Sequence, residues 1–270
     1  MKETLKKAYS FLPRTVARRI AKRAGDHLRI VDFSVLDVLR QAPREQLLDR
    51  AAFEAMLPRL GLCGGTMLFP AALQEYRDRG LEHMQMPNQF APYAVALARL
   101  NVRRYCEIGV KYGGTFVITC EYLQRTGALE FACALDINHC PSLVKYARMN
   151  SRTRFCQMDS HAPEAVALLR EQRFDAVFVD GDHEENACYE DIVNAVRHAR
   201  HVVVHDIAND FTPGPGNAWR RMKQAYANDF VFHEFTEQYP EAHSEWKHRL
   251  LGIGLAERKI SGAHAGSSPG

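Results

Sequence analysis

Carboxylates, imidazoles and glycines gather at the ends of short apolar runs in the middle of this sequence. Glu107-Ile108-Gly109-Val110-Lys111-Tyr112-Gly113-Gly114-Thr115 closes the first run. Glycine lets a chain turn tightly against a ligand, and the free N–H groups opening a following helix favour an anionic group. Asp136 closes the second run, where one carboxylate can accept hydrogen bonds from both hydroxyls of a ribose. Gln157-Met158-Asp159-Ser160 closes the third with polar groups able to hold a purine amine. The fourth and fifth end in Val179-Asp180-Gly181-Asp182-His183-Glu184-Glu185 and Val204-His205-Asp206-Ile207. An imidazole can take a proton from a hydroxyl near neutral pH, and neighbouring carboxylates can orient it or hold a cation. Structural duties stay open beside these: a plain turn for the glycines, a dipole-favoured helix start for Asp182, Glu184 and Glu185, caps for Asp180 and Asp206, and a local hydrogen bond for His183. Gly113 and Asp136 are separated by one strand-helix-strand unit, which alone states only a nucleoside-containing ligand.

These residues meet only if the runs are neighbouring strands. Strands are expected at 102–108, 131–136, 153–157, 174–180, 201–206, 229–235 and 249–255, and helices at 115–126, 141–150, 162–172, 184–199 and 216–227. Alternation of this kind predicts an α/β fold: a doubly wound, Rossmann-like seven-stranded sheet, mostly parallel, with the last strand antiparallel. Ligands then sit outside the carboxyl ends of the strands. The first 85 residues read instead as helices. Leu5, Tyr9, Leu12, Val16 and Ile20 make one apolar stripe, Val35, Leu36, Val38 and Leu39 a second, and Glu45 to Leu60 a third that ends at Gly61 to Gly65. The expected division is a helical extension or cap over 1–85, a sheet domain over 86–258 and a disordered tail over 259–270.

At 46% hydrophobic and 25% charged residues, with 17 Gly and 12 Pro, the composition excludes collagen-like and wholly disordered classes. Seven cysteines without a C-x-x-C pair read as buried thiols of a reducing compartment. No apolar run reaches the roughly 18 residues of a membrane span, and no secretory leader is recognisable, so a cytoplasmic location is expected. The net charge of +3 hides an asymmetry, because residues 1–30 hold nine Lys/Arg against Glu3 and Asp26. That basic end suits either weak attachment to an anionic membrane surface or packing on the sheet or on a second subunit.

The series E-x-G-x-x-x-G-G-T, Asp136, D-S at 159–160, F-D-x-V-F-V-D-G-D-H at 174–183 and V-V-V-H-D-I at 202–207 resembles the class I S-adenosylmethionine-dependent methyltransferases. Within these it is similar to a D-G-D-H branch that includes O-methyltransferases of sugars and antibiotics and is related to catechol-type enzymes. The resemblance covers about residues 86–258. It implies that Glu107, Gly109, Gly113, Gly114 and Thr115 surround the methionine part of the cofactor, that Asp136 holds the ribose, that Asp159 and Ser160 flank the adenine, and that Asp180 borders the site. Lys111 stands where many members have glycine. In metal-dependent relatives an Asp and an Asp-Asn pair at the fourth and fifth strand ends bind magnesium; Asp180 and Asp206 match, and Ile207 replaces the asparagine. A magnesium ion would therefore need Asp182, His205, Asn209 or water as well. His183 falls where catechol-type enzymes keep a lysine and is the first candidate for the base, with His205 the second. The implied acceptor is a hydroxyl on a small molecule or glycan. The segment Ala208 to Trp219, with Pro213, Gly214, Pro215 and Gly216, looks like a lid or a rigid connection beside it, and Tyr239, His243 and Trp246 could face it.

A nicotinamide-dependent oxidoreductase would share the sheet and the ribose carboxylate, yet Lys111 breaks its G-x-G-x-x-G turn and no Y-x-x-x-K pair occurs. A nucleic-acid base methyltransferase would carry an N/D-P-P-Y type strand end, so no nucleic-acid partner is expected. A cofactor-binding module without turnover stays open, as does a homo-oligomer.

Overall fold

A computed structural model describes residues 30–63, 69–127, 129–241 and 247–259. The basic stripe before Ile30 and the tail after Lys259 lie outside the described residues. Seven strands form one sheet: β1 (Arg104–Ile108), β2 (Phe131–Asp136), β3 (Thr153–Gln157), β4 (Ala176–Val179), β5 (His201–His205), β6 (Phe230–Phe235) and β7 (Ile253–Arg258). Their spatial order is β3-β2-β1-β4-β5-β7-β6. The first five run parallel, and β7 enters antiparallel between β5 and β6. The last strand is antiparallel as expected, and its insertion leaves β6 at the edge. Strand order reverses between β1 and β4, so their connections leave in opposite directions and a crevice opens at their carboxyl ends.

Alternation along each strand feeds two apolar layers. Tyr105 and Phe178 point to one, with Phe90, Tyr93, Phe116, Leu36 and Phe53; Cys106, Ile108, Val177 and Val179 point to the other, with Leu169, Ile192, Trp219 and Met222. All seven cysteines are buried and unbridged.

The segment ahead of the sheet packs into the first of these layers. It begins with a 3₁₀ turn at Phe33–Leu36 and α1 (Asp37–Arg40). The stretch expected as one helix over 45–60 is broken into α2 (Arg44–Leu48) and α3 (Arg50–Met56), because Asp49 is extended and its carboxylate accepts a hydrogen bond from Ala52 N at 2.8 Å, capping the second piece. Arg40 donates two hydrogen bonds to buried Glu121, which also accepts from the Tyr146 hydroxyl. Residues 71–85, also expected as helix, are a 3₁₀ turn at Ala71–Tyr76 followed by irregular chain bridged to Leu62.

Around the sheet run α4 (Pro87–Arg99), α5 (Gly114–Thr126), α6 (Pro141–Met149), α7 (Pro163–Gln172), α8 (Glu185–His198) and α9 (Pro213–Ala225). Helix α4 is absent from the sequence expectation, although Phe90, Tyr93, Ala94 and Leu97 mark its buried face. The expected lid or connection at Pro213–Gly216 is the first turn of α9, where proline loses no helical hydrogen bond. Gly214 lies so close to the chain at His183 that a Cβ would approach the His183 carbonyl oxygen to 2.1 Å. β7 begins at Ile253 rather than 249, since Leu251 and Gly252 both take positive φ and turn the chain first.

Two buried histidines give the fold an acid limit. Burial pushes His83 and His201 down to about 4, and His201 Nδ1 accepts a hydrogen bond from Arg258 N, which requires that nitrogen unprotonated. The unfolded chain, with ordinary imidazoles near 6.5, then binds more protons between those values. Stability is full above pH 6.5 and falls as pH drops through 4, by up to about 3 kcal/mol per histidine. Urea midpoints measured from about pH 7 to about pH 4.5 should fall steadily, and a flat profile would contradict this assignment.

Candidate active site

The first turn of the site is built on glycine. Gly109 follows β1 with φ +81°, and a Cβ there would meet the Asp180 carbonyl oxygen at 2.1 Å, so the loop after β1 lies directly against the end of β4. Gly113, φ +85°, opens α5 where a Cβ would strike Leu143. A Cβ on Gly114 would meet the Leu81 carbonyl oxygen at 2.2 Å, which brings the segment from Leu81 across the start of α5. Asp136 ties the turn down: its Oδ2 accepts from Val110 N at 2.9 Å and Lys111 N at 3.3 Å, and its Oδ1 from Asn138 N at 2.8 Å. A carboxylate has about four acceptor positions, so Asp136 keeps capacity for a hydroxyl.

One cavity of about 730 Å³ opens over these strand ends. Glu107, Gly109, Gly114, Thr115, Asp136, Asp159, Ser160, Asp180, His183, His205 and Asp206 line it together. Gly113 is not among the lining residues, and its contribution is the positive φ that starts α5. Glu107 is 1% exposed, accepts from the Tyr105 hydroxyl at 2.8 Å and is pushed well above the usual carboxyl range by burial. Glu82, His83, Met84 and Gln85 also line the cavity, as do Met158, His161, Asn209, Thr212 and Leu251. The sequence reading missed Glu82 to Gln85, His161 and Leu251 because irregular segments carry no periodic signal; the close approach at Gly114 is what brings the first four there. Tyr239 instead packs beside Leu62, Phe69 and Leu250, while His243 and Trp246 lie outside the described residues.

Two histidines and two aspartates meet at the ends of β4 and β5. His205 Nδ1 lies 3.0 Å from Asp180 Oδ1 and 3.4 Å from Asp206 Oδ1, as contacts too poorly aligned to count as hydrogen bonds. His183 Nε2 lies 3.5 Å from Asp180 Oδ1 and its Nδ1 3.4 Å from Asp206 Oδ2, which also accepts from the Thr212 hydroxyl at 3.1 Å. Burial alone would drive His205 down and Asp180 up. Their mutual attraction, with His183 and Asp206 assisting, outweighs it and takes His205 up to about 9 and Asp180 down to about 2. His183 is raised by its contact with Asp180, against partial burial. His205 is 5% exposed on its side chain and His183 39% exposed, so incoming substrate reaches the second more readily.

The glycine cradles, the buried Glu107 and Asp136 suit a nucleoside linked to an amino acid. Magnesium suits the site less well, since it prefers oxygen donors at octahedral positions. Imidazoles stand within 3.5 Å of both carboxylates, and Ile207 is packed in an apolar layer. Among the described residues no group of three or more His, Cys, Asp or Glu side chains is arranged to hold a metal ion. This donor set does not fit magnesium.

A family model described as a methyltransferase domain matches residues 106–207, from β1 to just past β5. No curated protein matches the chain. Among solved structures it is similar to the O-methyltransferase TomG of Streptomyces achromogenes, at 16% identity over 66% of this chain and 82% of that one, TM-score 0.48. It is also similar to an O-methyltransferase of Bacillus cereus, at 14% identity over 80% of this chain and 92% of that one, TM-score 0.47. No helix among the described residues is long and apolar enough to cross a membrane.

Proposed function

We propose, from the methyltransferase domain that residues 106–207 carry, that the chain transfers the methyl group of S-adenosylmethionine to a hydroxyl oxygen of a small molecule. The observation that carries this reading is one cavity holding the glycine turn, Asp136 and the exposed His183 together. Bound S-adenosylmethionine supplies a methyl carbon made electrophilic by its sulfonium.

Glu107 and the turn from Gly109 to Thr115 receive the amino-acid end of that donor, Asp136 the ribose, and Asp159 with Ser160 the purine. Asp206 Oδ2 faces His183 Nδ1 and Asp180 Oδ1 faces Nε2, so the neutral ring keeps its proton toward one carboxylate and offers its other nitrogen as the basic atom. His183 would take the hydroxyl proton as the oxygen takes the methyl group, with the bonding pair left on sulfur. His205, buried between Asp180 and Asp206, serves as a fixed positive charge that spaces the two carboxylates. The described residues before 86 act as a cap, whose Glu82 to Gln85 wall off the glycine turn, and the described residues of 86–258 as the transfer domain.

Incubation with methyl-labelled donor and fractionated cell extract, followed by mass spectrometry, tests the reaction. Label should enter a hydroxyl-bearing metabolite at the same rate with and without chelator. Loss of transfer in chelator, restored by magnesium, would return Asp180 and Asp206 to a metal role. A glycan acceptor presented at an anionic surface, met by the basic first 30 residues, is the narrower form of this reading; label confined to the aqueous small-molecule fraction would contradict it.

A further inference from the structure

A second cavity, of about 330 Å³, lies at the far end of α5 from the reaction cavity. Helix α5 starts at Gly114 in the first cavity and reaches Arg125 in the second, about 16 Å further along its axis. Glu121, Gln124 and Arg125 stand three and four residues apart, so one face of the helix supplies all three. Arg40 comes from the end of α1, and Arg152 from the turn between α6 and β3.

Hydrogen bonds fix these pieces against one another. Arg40 Nε and Nη2 donate to Glu121 Oε2 at 2.9 Å and Oε1 at 2.7 Å, and the Tyr146 hydroxyl donates to the same Oε1 at 2.9 Å. That hydroxyl accepts from Asn150 Nδ2 at 3.0 Å, while Asn150 Oδ1 accepts from Arg152 N at 3.2 Å and sets the turn. Glu121, 4% exposed, is committed to these bonds and is the one carboxylate among the described residues that line the cavity. Three guanidiniums against one carboxylate leave two positive charges unbalanced. Donors are left over as well. The Arg152 guanidinium has no partner among the described residues, Arg125 uses only Nη2, on the Ala42 carbonyl at 2.8 Å, and Gln124 Nε2 is buried without a hydrogen-bond partner. The Thr126 carbonyl at the end of α5 does not claim them, since Arg44 already donates to it at 2.8 Å. A buried N–H left so is costly, and a ligand made of acceptors and negative charge removes the cost.

We propose that this second cavity is an anion site that holds a phosphate group, free or as the monoester of a small molecule. Phosphate brings only acceptor oxygens at its charged end, guanidiniums meet it in paired hydrogen bonds, and the Gln124 amide gains its missing acceptor. A volume of about 330 Å³ is at the small end of ligand cavities, so whatever carries the phosphate is small. The bound group ties α1 to α5 and to the turn at Arg152. It stands apart from the methyl donor, whose cavity is at the other end of α5.

Calorimetric titration of the native protein with ribose 5-phosphate should show saturable, submillimolar binding, and ribose should show none. Inorganic phosphate, titrated in parallel, separates the two sources of the group: weaker binding than the sugar phosphate assigns a monoester, and equal or tighter binding assigns the free ion. Arg152→Ala removes a guanidinium that holds nothing else, so the variant should stay folded with binding weakened by about ten-fold or more. Gln124→Leu should also weaken binding, yet raise the urea midpoint of the unliganded protein, because it removes a buried donor that lacks a partner. Phosphate should raise the native urea midpoint and leave that of Arg152→Ala nearly unmoved. Absence of binding by both phosphate compounds, native affinity in folded Arg152→Ala, or an equal rise in midpoint from sodium chloride at matched ionic strength overturns the inference.

Discussion

His183→Ala lowers turnover by about 10²-fold or more and leaves the Kd for S-adenosylhomocysteine nearly unchanged. Loss of a general base removes an interaction made only as the proton moves, so kcat falls and cofactor affinity does not. His183 is the residue placed to do this: its side chain is 39% exposed in the cavity, with Asp206 Oδ2 at 3.4 Å from Nδ1 and Asp180 Oδ1 at 3.5 Å from Nε2. Its raised pKa adds a signature. A base must be unprotonated, so native turnover should climb with pH above the ordinary imidazole range, and that limb should vanish in His183→Ala. Unchanged turnover in the variant would remove the base from His183.

Asp136→Ala has the second large effect, on binding. Three backbone N–H groups, of Val110, Lys111 and Asn138, lose their acceptor at once, and the glycine turn loses its tie to the end of β2. A ribose hydroxyl held by Asp136, as proposed, would also go unpaired, at about 1–3 kcal/mol. Affinity for S-adenosylhomocysteine should fall by about 10²-fold or more. Asp136→Asn keeps one acceptor oxygen and should lose less. Native affinity in Asp136→Ala would place the ribose elsewhere.

The sheet was legible because its cues are local. β2 and β3 fall at the expected residues, 131–136 and 153–157, since each is a short β-rich run bounded by polar turns. Where an expectation rested on a tendency that a single contact can override, the structure departs from it. Asp49 breaks a continuous apolar stripe by capping Ala52 N, and Pro213 to Gly216 open a helix although proline and glycine suggest a loop. Helix α4 lies outside the expected elements even though its apolar spacing is present, with Pro92 inside it interrupting the pattern.

The site divides in the same way. Residues at strand ends could be named from sequence because a parallel sheet must bring those ends together. Glu82 to Gln85 could not, as their place depends on Gly114 letting the chain at Leu81 cross α5. The sequence ranks His183 ahead of His205 by resemblance alone. Burial of His205 between Asp180 and Asp206, which leaves His183 the more exposed of the two, depends on packing that no local pattern carries.

Calorimetric titration of the native protein tests most directly whether this cavity takes S-adenosylmethionine. S-adenosylmethionine and S-adenosylhomocysteine should each bind at one site with micromolar affinity and compete with each other, while NADH gives no heat. Saturable binding of NADH, with no response to either sulfur compound, would contradict the account.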